Sequence, residues 1–232
     1  MKLQIVKPGH SGTGLIIENG CGYIEPKDER NKLFMTEMNK ISEGLGKSVM
    51  VEPLVLFVIL QKYDVLNKNG RIYPKSILMR EADKYNELIQ QRLAIGEAEH
   101  PDSSIINSSR VSHEIKKIWF EGQTLVGEME IIMSPGFVNQ GIISCEGDNI
   151  ANLLRRGIRV GVSSRGVGSL KEQNGTLIVE DDFELICWDI VTNPSTPGSY
   201  MFTNKKESVP FMESEIKNKS VLGENLKKFL LN

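Results

Sequence analysis

The run VSHEIKKIWF-EGQ-TLVGEMEIIM, from Val111 to Met133, decides the fold class. Two ten-residue arms rich in β-branched and aromatic residues flank Glu121-Gly122-Gln123, a short connection containing glycine. In the second arm Glu128, Met129, Glu130 and Ile131 alternate polar with apolar, the period of a strand with one face buried. The run therefore predicts an antiparallel hairpin over Val111–Phe120 and Thr124–Met133.

Working outward, the same pattern recurs. Val55–Leu60, continued through Tyr63 and Val65, predicts one long strand closed by the turn-like Asn67-Lys68-Asn69-Gly70. Downstream, Ile158–Ser163 predicts a strand. Val167–Lys171 and Thr176–Glu180 flank Asn174-Gly175, a strong hairpin signal, and Phe183–Thr192 is a further strand. A short strand is expected near Leu15–Ile17. Helical spacing appears in three places. The first is about Lys32–Ile41, and the second runs from Pro74 to about Arg92, with Ile77, Leu78, Tyr85, Leu88 and Ile89 as its stripe. The third is Asp148–Arg156, with Asp148 as N-cap. About seven strands joined mostly by hairpins, with helices between them, predict an α+β domain whose core is a mainly antiparallel, closed β-barrel. The expected organisation is an N-terminal arm over 1–48, the barrel over 49–203, and a polar tail over 204–232 with an amphipathic segment at Leu222–Leu231.

Composition narrows the function classes. Among 232 residues, 28 Lys and Arg nearly balance 30 Asp and Glu, so no strong field favours nucleic acid or an anionic membrane. The longest apolar run, Leu54–Leu60, is too short to span a bilayer, and nothing after Met1-Lys2 resembles a secretory signal. Cys21, Cys145 and Cys187 are scattered without CxxC spacing, which argues against a disulfide framework or a zinc site and fits a reducing cytoplasm. No phosphate-binding loop, dinucleotide fingerprint or metal-ligand spacing is present, so no cofactor and no metal is expected.

Two distant strings carry chemistry: Gly96-Glu97-Ala98-Glu99-His100-Pro101 and Gly161-Val162-Ser163-Ser164-Arg165-Gly166. A serine is a weak nucleophile until a base takes its proton, and histidine is the side chain best tuned for that. His100 follows a strand-like stretch and is held extended by Pro101. Ser163 is expected at a strand end, with Gly166 turning the chain sharply and the Ser164 and Arg165 amides converging on a developing oxyanion. Taken alone, each string reads better as ordinary structure, Ser163 as a polar strand-to-turn junction and His100 as a histidine capping a loop. Of the other histidines, His113 lies inside the hairpin and suits a structural role, while His10 lies in the arm.

A third group should orient the histidine. Asp189 is an acid inside the apolar strand Cys187–Val191, and a buried carboxylate asks for a partner. Glu184 and Asp182, at the start of that strand, are expected to be solvated. Cys145 is an alternative nucleophile, disfavoured by the neighbouring Glu146, which would raise its pKa.

GEAEHP, GVSSRGVGSL and WDIVTNPS, in that order, together with Asn69-Gly70-Arg71-Ile72-Tyr73-Pro74-Lys75, resemble the prohead core proteases of large tailed phages, a family related in fold to herpesvirus assemblin. The resemblance spans roughly Val49–Ser199. It implies a serine endopeptidase that acts inside the immature prohead in the host cytoplasm, cutting scaffold or core proteins, the major capsid protein and itself. By that resemblance His100 is the base, Ser163 the nucleophile and Asp189 the third member, with Glu184 in reserve; Ser164 takes the nucleophile's place if the register is off by one. The resemblance also implies cleavage after Glu with Ile or Leu two residues before it. Leu222-Gly223-Glu224 and Ile16-Ile17-Glu18 fit, and both are expected in accessible peripheral segments. Arg165 or Arg159 is the expected cation for the acidic side chain. A homo-oligomer is left open; nucleic acid and membrane are not expected partners. The competing reading is a non-catalytic core or scaffold component with the same fold.

Overall fold

The computed structural model describes residues 4–7, 9–18, 22–24, 29–31 and 52–192. Among them are ten strands: β1 (Gly12–Ile17), β2 (Gly22–Ile24), β3 (Leu54–Lys62), β4 (Arg71–Ile72), β5 (Ile95–Glu97), β6 (Val111–Glu121), β7 (Thr124–Ile131), β8 (Gly161–Gln173), β9 (Thr176–Val179) and β10 (Glu184–Val191). The helices are α1 (Lys75–Gln90), α2 (Pro135–Gln140) and α3 (Glu146–Arg155), giving a mixed α+β architecture. The expected helix over 32–41, the tail segment at 222–231, Cys21 and Glu224 lie outside the described residues.

The strands form one sheet with the order β4-β9-β8-β2-β3-β7-β6-β5, and β1 and β10 both pair with β8 as well. Every ladder is antiparallel except β4 with β9. Past the end of β5 the chain meets β10: Ala98 bridges Ile190, and the Glu99 amide donates to the Ile190 carbonyl at 2.8 Å. The thirteen-residue β8 is the hub, flanked by β10 and β9 on one edge and by β1 and β2 on the other.

Ten strands replace the expected seven because β2, β4 and β5 are only two or three residues long. Segments as short as β2 and β4 carry no readable period, and hydrogen bonds to longer neighbours create them, while β5 is all that forms of the strand-like stretch before His100. The first long strand stops at Lys62 instead of running on to Val65, because Asp64 takes a left-handed conformation (φ 53°) and its carboxylate accepts the Lys75 amide at the start of α1. Helix α2 was not foreseen, although Ser134 caps it, Pro135 opens it and left-handed Gly141 closes it. Asp148 is the third residue of α3 rather than its cap. From there it accepts the amides of Ser134, Ser144 and Cys145 at 2.7, 2.8 and 3.1 Å.

Alternate residues of β3 (Leu54, Leu56, Val58 and Leu60) enter the main core. There they meet Leu78, Ala82 and Tyr85 of α1 and Trp188 of β10, with the Tyr85 and Trp188 rings edge to face at 4.7 Å. Such an aromatic pair adds about 1 kcal/mol beyond its buried area. A smaller cluster gathers Val6, Ile16, Tyr73, Ile77, Leu170, Val179 and Phe183. No helix of the described residues is long and apolar enough to cross a membrane.

Ser163 was expected just before a sharp turn, but the chain runs straight on through β8. Gly166 and Gly168 are there for space instead. A Cβ on Gly166 would come within 2.5 Å of the Phe183 ring, and one on Gly168 within 2.7 Å of the Phe183 backbone.

Candidate active site

Three elements bring the site together. Ser163 sits near the start of β8. Asp189 comes from β10, where a bulge between Leu185 and Cys187 inserts one extra residue into the ladder. That extra residue sets Asp189 opposite Ser163 and Trp188 opposite Ser164; a regular ladder would put Trp188 opposite Ser163. His100 follows β5, where the Ala98–Ile190 bridge pins the chain and left-handed Glu99 (φ 63°) redirects it. The Glu99 carboxylate accepts the Thr192 amide at 3.1 Å and its hydroxyl at 2.5 Å, which locks that corner.

His100 Nε2 contacts Ser163 Oγ, and His100 Nδ1 lies 2.9 Å from Asp189 Oδ2. Ser163 and Asp189 are fully buried, whereas the imidazole keeps 12% of its side chain exposed. Burial raises the Asp189 pKa, but the His100 hydrogen bond, the Arg165 charge and the Glu97 amide outweigh it and hold the carboxyl below its ordinary value. An ionised Asp189 can only accept, so Nδ1 carries the proton and Nε2 presents its lone pair to the serine hydroxyl.

Arg165 sits under the carboxylate. Its Nε and Nη2 donate to Asp189 at 2.8 and 3.1 Å, Nη2 also reaches Glu97 Oε1 at 3.1 Å, and Nη1 donates to the Ser103 carbonyl at 2.7 Å. Glu97 donates its own amide to Asp189 at 3.0 Å, accepts the Asn107 amide at 2.9 Å and lies 3.5 Å from Arg110. The Cys187 thiol, pushed well up by burial and then by the Asp189 charge, stays protonated and donates to Asp189 at 3.3 Å. A buried carboxylate is tolerated only when paired and hydrogen-bonded in this way.

Other expectations change. Arg165 is fully buried and committed to Asp189 and Glu97, so it does not face a substrate side chain. The Ser164 and Arg165 amides do not converge on one oxyanion, because successive groups of an extended strand point to opposite edges. Ser164 points its carbonyl to the Glu18 amide at 2.9 Å, while the neighbouring Arg165 pairs with Cys187. Ser164 is next along β8, so its side chain leaves the opposite face from the one Ser163 presents to His100. Glu184 is exposed at the start of β10, five positions before Asp189. The Cys145 thiol is raised chiefly by burial and donates to the Ile132 carbonyl at 3.5 Å. Glu18, expected in an accessible segment, is fully buried.

His113 is structural. Burial pushes it down to about 4, so it is neutral; Nε2 donates to the Trp188 carbonyl at 2.9 Å and Nδ1 pairs with Ser112 Oγ at 2.9 Å. Gly96 makes room for it, since a Cβ there would meet His113 Nε2 at 2.4 Å and the Trp188 carbonyl at 2.2 Å. The sequence reading missed Glu97 and the role of Arg165. The signal was available for Glu97, an acid in a strand-like stretch that asks for a partner just as Asp189 does. Among the described residues no cluster of His, Cys, Asp or Glu has the makings of a metal site.

Comparison with known proteins gives a consistent answer. The family model described as prohead core protein serine protease matches residues 16–209. The chain is 33% identical over 160 residues to the prohead core protein protease of Enterobacteria phage T4, covering 67% of this chain and 72% of that one. The solved structure of the bacteriophage T4 capsid assembly protease superposes with a TM-score of 0.58 at 26% identity, covering 78% of this chain and 98% of that chain. The family match runs unbroken from β1 past β10 and so takes in all three strands and loops that meet at Ser163. Fold and sequence agree, and the chain belongs to the prohead core protein serine protease family.

Proposed function

We propose that this protease is a serine endopeptidase working through Ser163, His100 and Asp189. The observation that carries the reading is the unbroken line from Ser163 Oγ to His100 Nε2 and from His100 Nδ1 to Asp189 Oδ2 at 2.9 Å. His100 takes the hydroxyl proton as Ser163 attacks the scissile carbonyl, then passes it to the leaving amine; water repeats the sequence on the acyl-enzyme. Asp189, held ionised, orients the imidazole and stabilises its charged form.

The substrates we propose are scaffold or core proteins, the major capsid protein and the chain itself, cut after Glu in Ile/Leu-x-Glu strings inside the immature prohead in the host cytoplasm. The names of the T4 relatives support the setting. We also read the sheet as a closed barrel carried by 49–203, into which the arm over 1–48 contributes β1 and β2, followed by a tail over 204–232. The support for closure is the Ala98–Ile190 bridge, which links the β5 end of the ladder path to β10 and hence back to β8.

Intact-mass analysis of the concentrated chain beside its Ser163→Ala variant tests the reading. Loss of the segment beyond Glu224 is expected in the parent alone. Equal clipping of both would remove Ser163 as nucleophile, and no clipping or peptide hydrolysis by either would favour a non-catalytic core component.

A further inference from the structure

Ser163 and Arg165 stand two positions apart on β8, so their side chains leave the same face of the strand. Their ladder partners on β10 are Asp189 and Cys187. Arg165 thus reaches Asp189 on the face that carries the serine, and its Nη2 also meets a second carboxylate, Glu97, at the end of β5. Glu97 and Arg165 are both fully buried. Asp189 alone, with two hydrogen bonds from the guanidinium, already offsets the burial of that cation. A second buried acid on the same cation adds desolvation and returns little stability. Its use is found at His100. Asp189 and Arg165 by themselves form a neutral pair, whose field does little for an imidazolium. With Glu97 the buried group keeps one net negative charge, and the imidazolium that forms when His100 takes the serine proton brings the whole to neutrality.

The other groups facing this cluster add no buried charge. His113 of β6 is neutral, and burial pushes both the Cys187 thiol of β10 and the Tyr85 hydroxyl of α1 well above their ordinary values. Arg110 lies 3.5 Å from Glu97 with 39% of its side chain exposed, and Glu99 and Asp102 are exposed, so water screens all three. The buried pair also holds the loop that carries the histidine. Among the described residues, only two hydrogen bonds tie 101–107 to the fold outside 101–110. Arg165 Nη1 donates to the Ser103 carbonyl at 2.7 Å, and the Asn107 amide donates to Glu97 Oε1 at 2.9 Å. The same Glu97 oxygen receives Arg165 Nη2 at 3.1 Å, so one carboxylate atom joins both anchors.

We propose that Glu97 is a positioning residue for the hydrolysis: through Arg165 and the Asn107 amide it holds the His100 loop against Ser163, and its charge readies the group around Asp189 to receive the imidazolium. The inference rests on the reading of Ser163 as nucleophile and His100 as base. It gives one side chain two separable duties, one of charge and one of reach.

The test compares the full chain with its Glu97→Gln and Glu97→Asp variants by two readouts. The first is the titration midpoint of the His100 ring, followed by NMR in a Ser163→Ala background so that no turnover is needed. Loss of a negative charge disfavours the imidazolium, so Glu97→Gln should lower the midpoint by at least about half a pH unit, while Glu97→Asp should leave it within about 0.2. The second is hydrolysis of a fluorogenic peptide copied from Val221-Leu222-Gly223-Glu224-Asn225-Leu226. Glu97→Gln should lower kcat about tenfold with KM little changed, and should move the lower limb of the pH profile in the same direction as the midpoint. Glu97→Asp keeps the charge but is one carbon too short to hold Arg165 and Asn107 together, so kcat should fall about fivefold with that limb unmoved. A His100 midpoint unmoved by Glu97→Gln in a folded chain overturns the inference. If that variant does not fold, Glu97→Asp decides, and either a parental kcat or a moved midpoint overturns it. Cleavage unaffected by both variants removes this inference and leaves the protease reading standing. A parent chain that fails to cleave removes the protease reading, and the midpoint still decides whether Glu97 acts on the imidazole.

Discussion

Asp189 faces Ser163 directly across the β8–β10 ladder, and His100 bridges them from above with one ring nitrogen on each. The serine and the aspartate are thus fixed on neighbouring strands of one sheet, while the histidine alone arrives on a loop. That division puts the adjustable part of the site at Glu99–Pro101.

Asp189→Asn should lower kcat by roughly 10⁴-fold, because an amide no longer fixes the reactive tautomer. It should also destabilise the chain by about 3–5 kcal/mol, since Arg165 loses one of its two buried carboxylates. Glu184→Gln, at an exposed position, should leave both within about twofold. Peptide kinetics and urea denaturation of the two variants side by side check this. Equal activity losses would move the acid's role to Glu184.

His113 predicts a pH dependence unrelated to catalysis. Its folded-state pKa of about 4 lies below the ordinary value near 6.5, so between these limits the unfolded chain binds the proton more readily. Stability therefore falls as pH drops through that window, by about 2 kcal/mol between pH 7 and pH 5 from this residue alone. Denaturation midpoints at the two pH values should show that slope in the parent and a flatter one in His113→Asn. Asp189 adds its own loss lower down: its depressed pKa gives stability that is complete above about pH 4 and drains away as pH falls through the folded value.

Gly166→Ala should cost about 1–3 kcal/mol by overpacking, because the new methyl meets the Phe183 ring at 2.5 Å. The Glu184 carbonyl, 2.7 Å from the same point, cannot retreat as a side chain can. Adding Phe183→Leu should therefore restore only part of the stability. A double-mutant cycle by thermal denaturation measures the coupling, and strict additivity would show that the ring is not the obstacle.

The parts of the site legible in the sequence were residues out of keeping with their surroundings. Asp189 stood in an apolar strand, His100 before a proline, and Ser163 in a string of small residues. Its electrostatic support was not legible. Arg165 read as a cation for substrate, yet its partners Asp189 and Glu97 lie 24 and 68 positions away and share no period with it. Hairpins declared themselves through Asn174-Gly175 and Gly122, whereas β2 and β4 exist only because longer strands pair with them. Glu18 was misjudged for the same reason: its burial comes from residues some fifty positions downstream.

The bulge in β10 means that this strand keeps count. If the bulge flattened, so that Ile186 itself faced Arg165, every later side chain would turn over. The Trp188 indole would then emerge toward His100, and the Asp189 carboxylate would face Tyr85 in the apolar interior. Loss of Ile186 itself would leave Cys187 opposite Arg165 and Asp189 opposite Ser163, whereas an insertion or loss between Cys187 and Asp189 would carry the acid off its partner. Lineages of this protein should therefore hold the spacing from Cys187 to Asp189 while the length and content of the bulge drift.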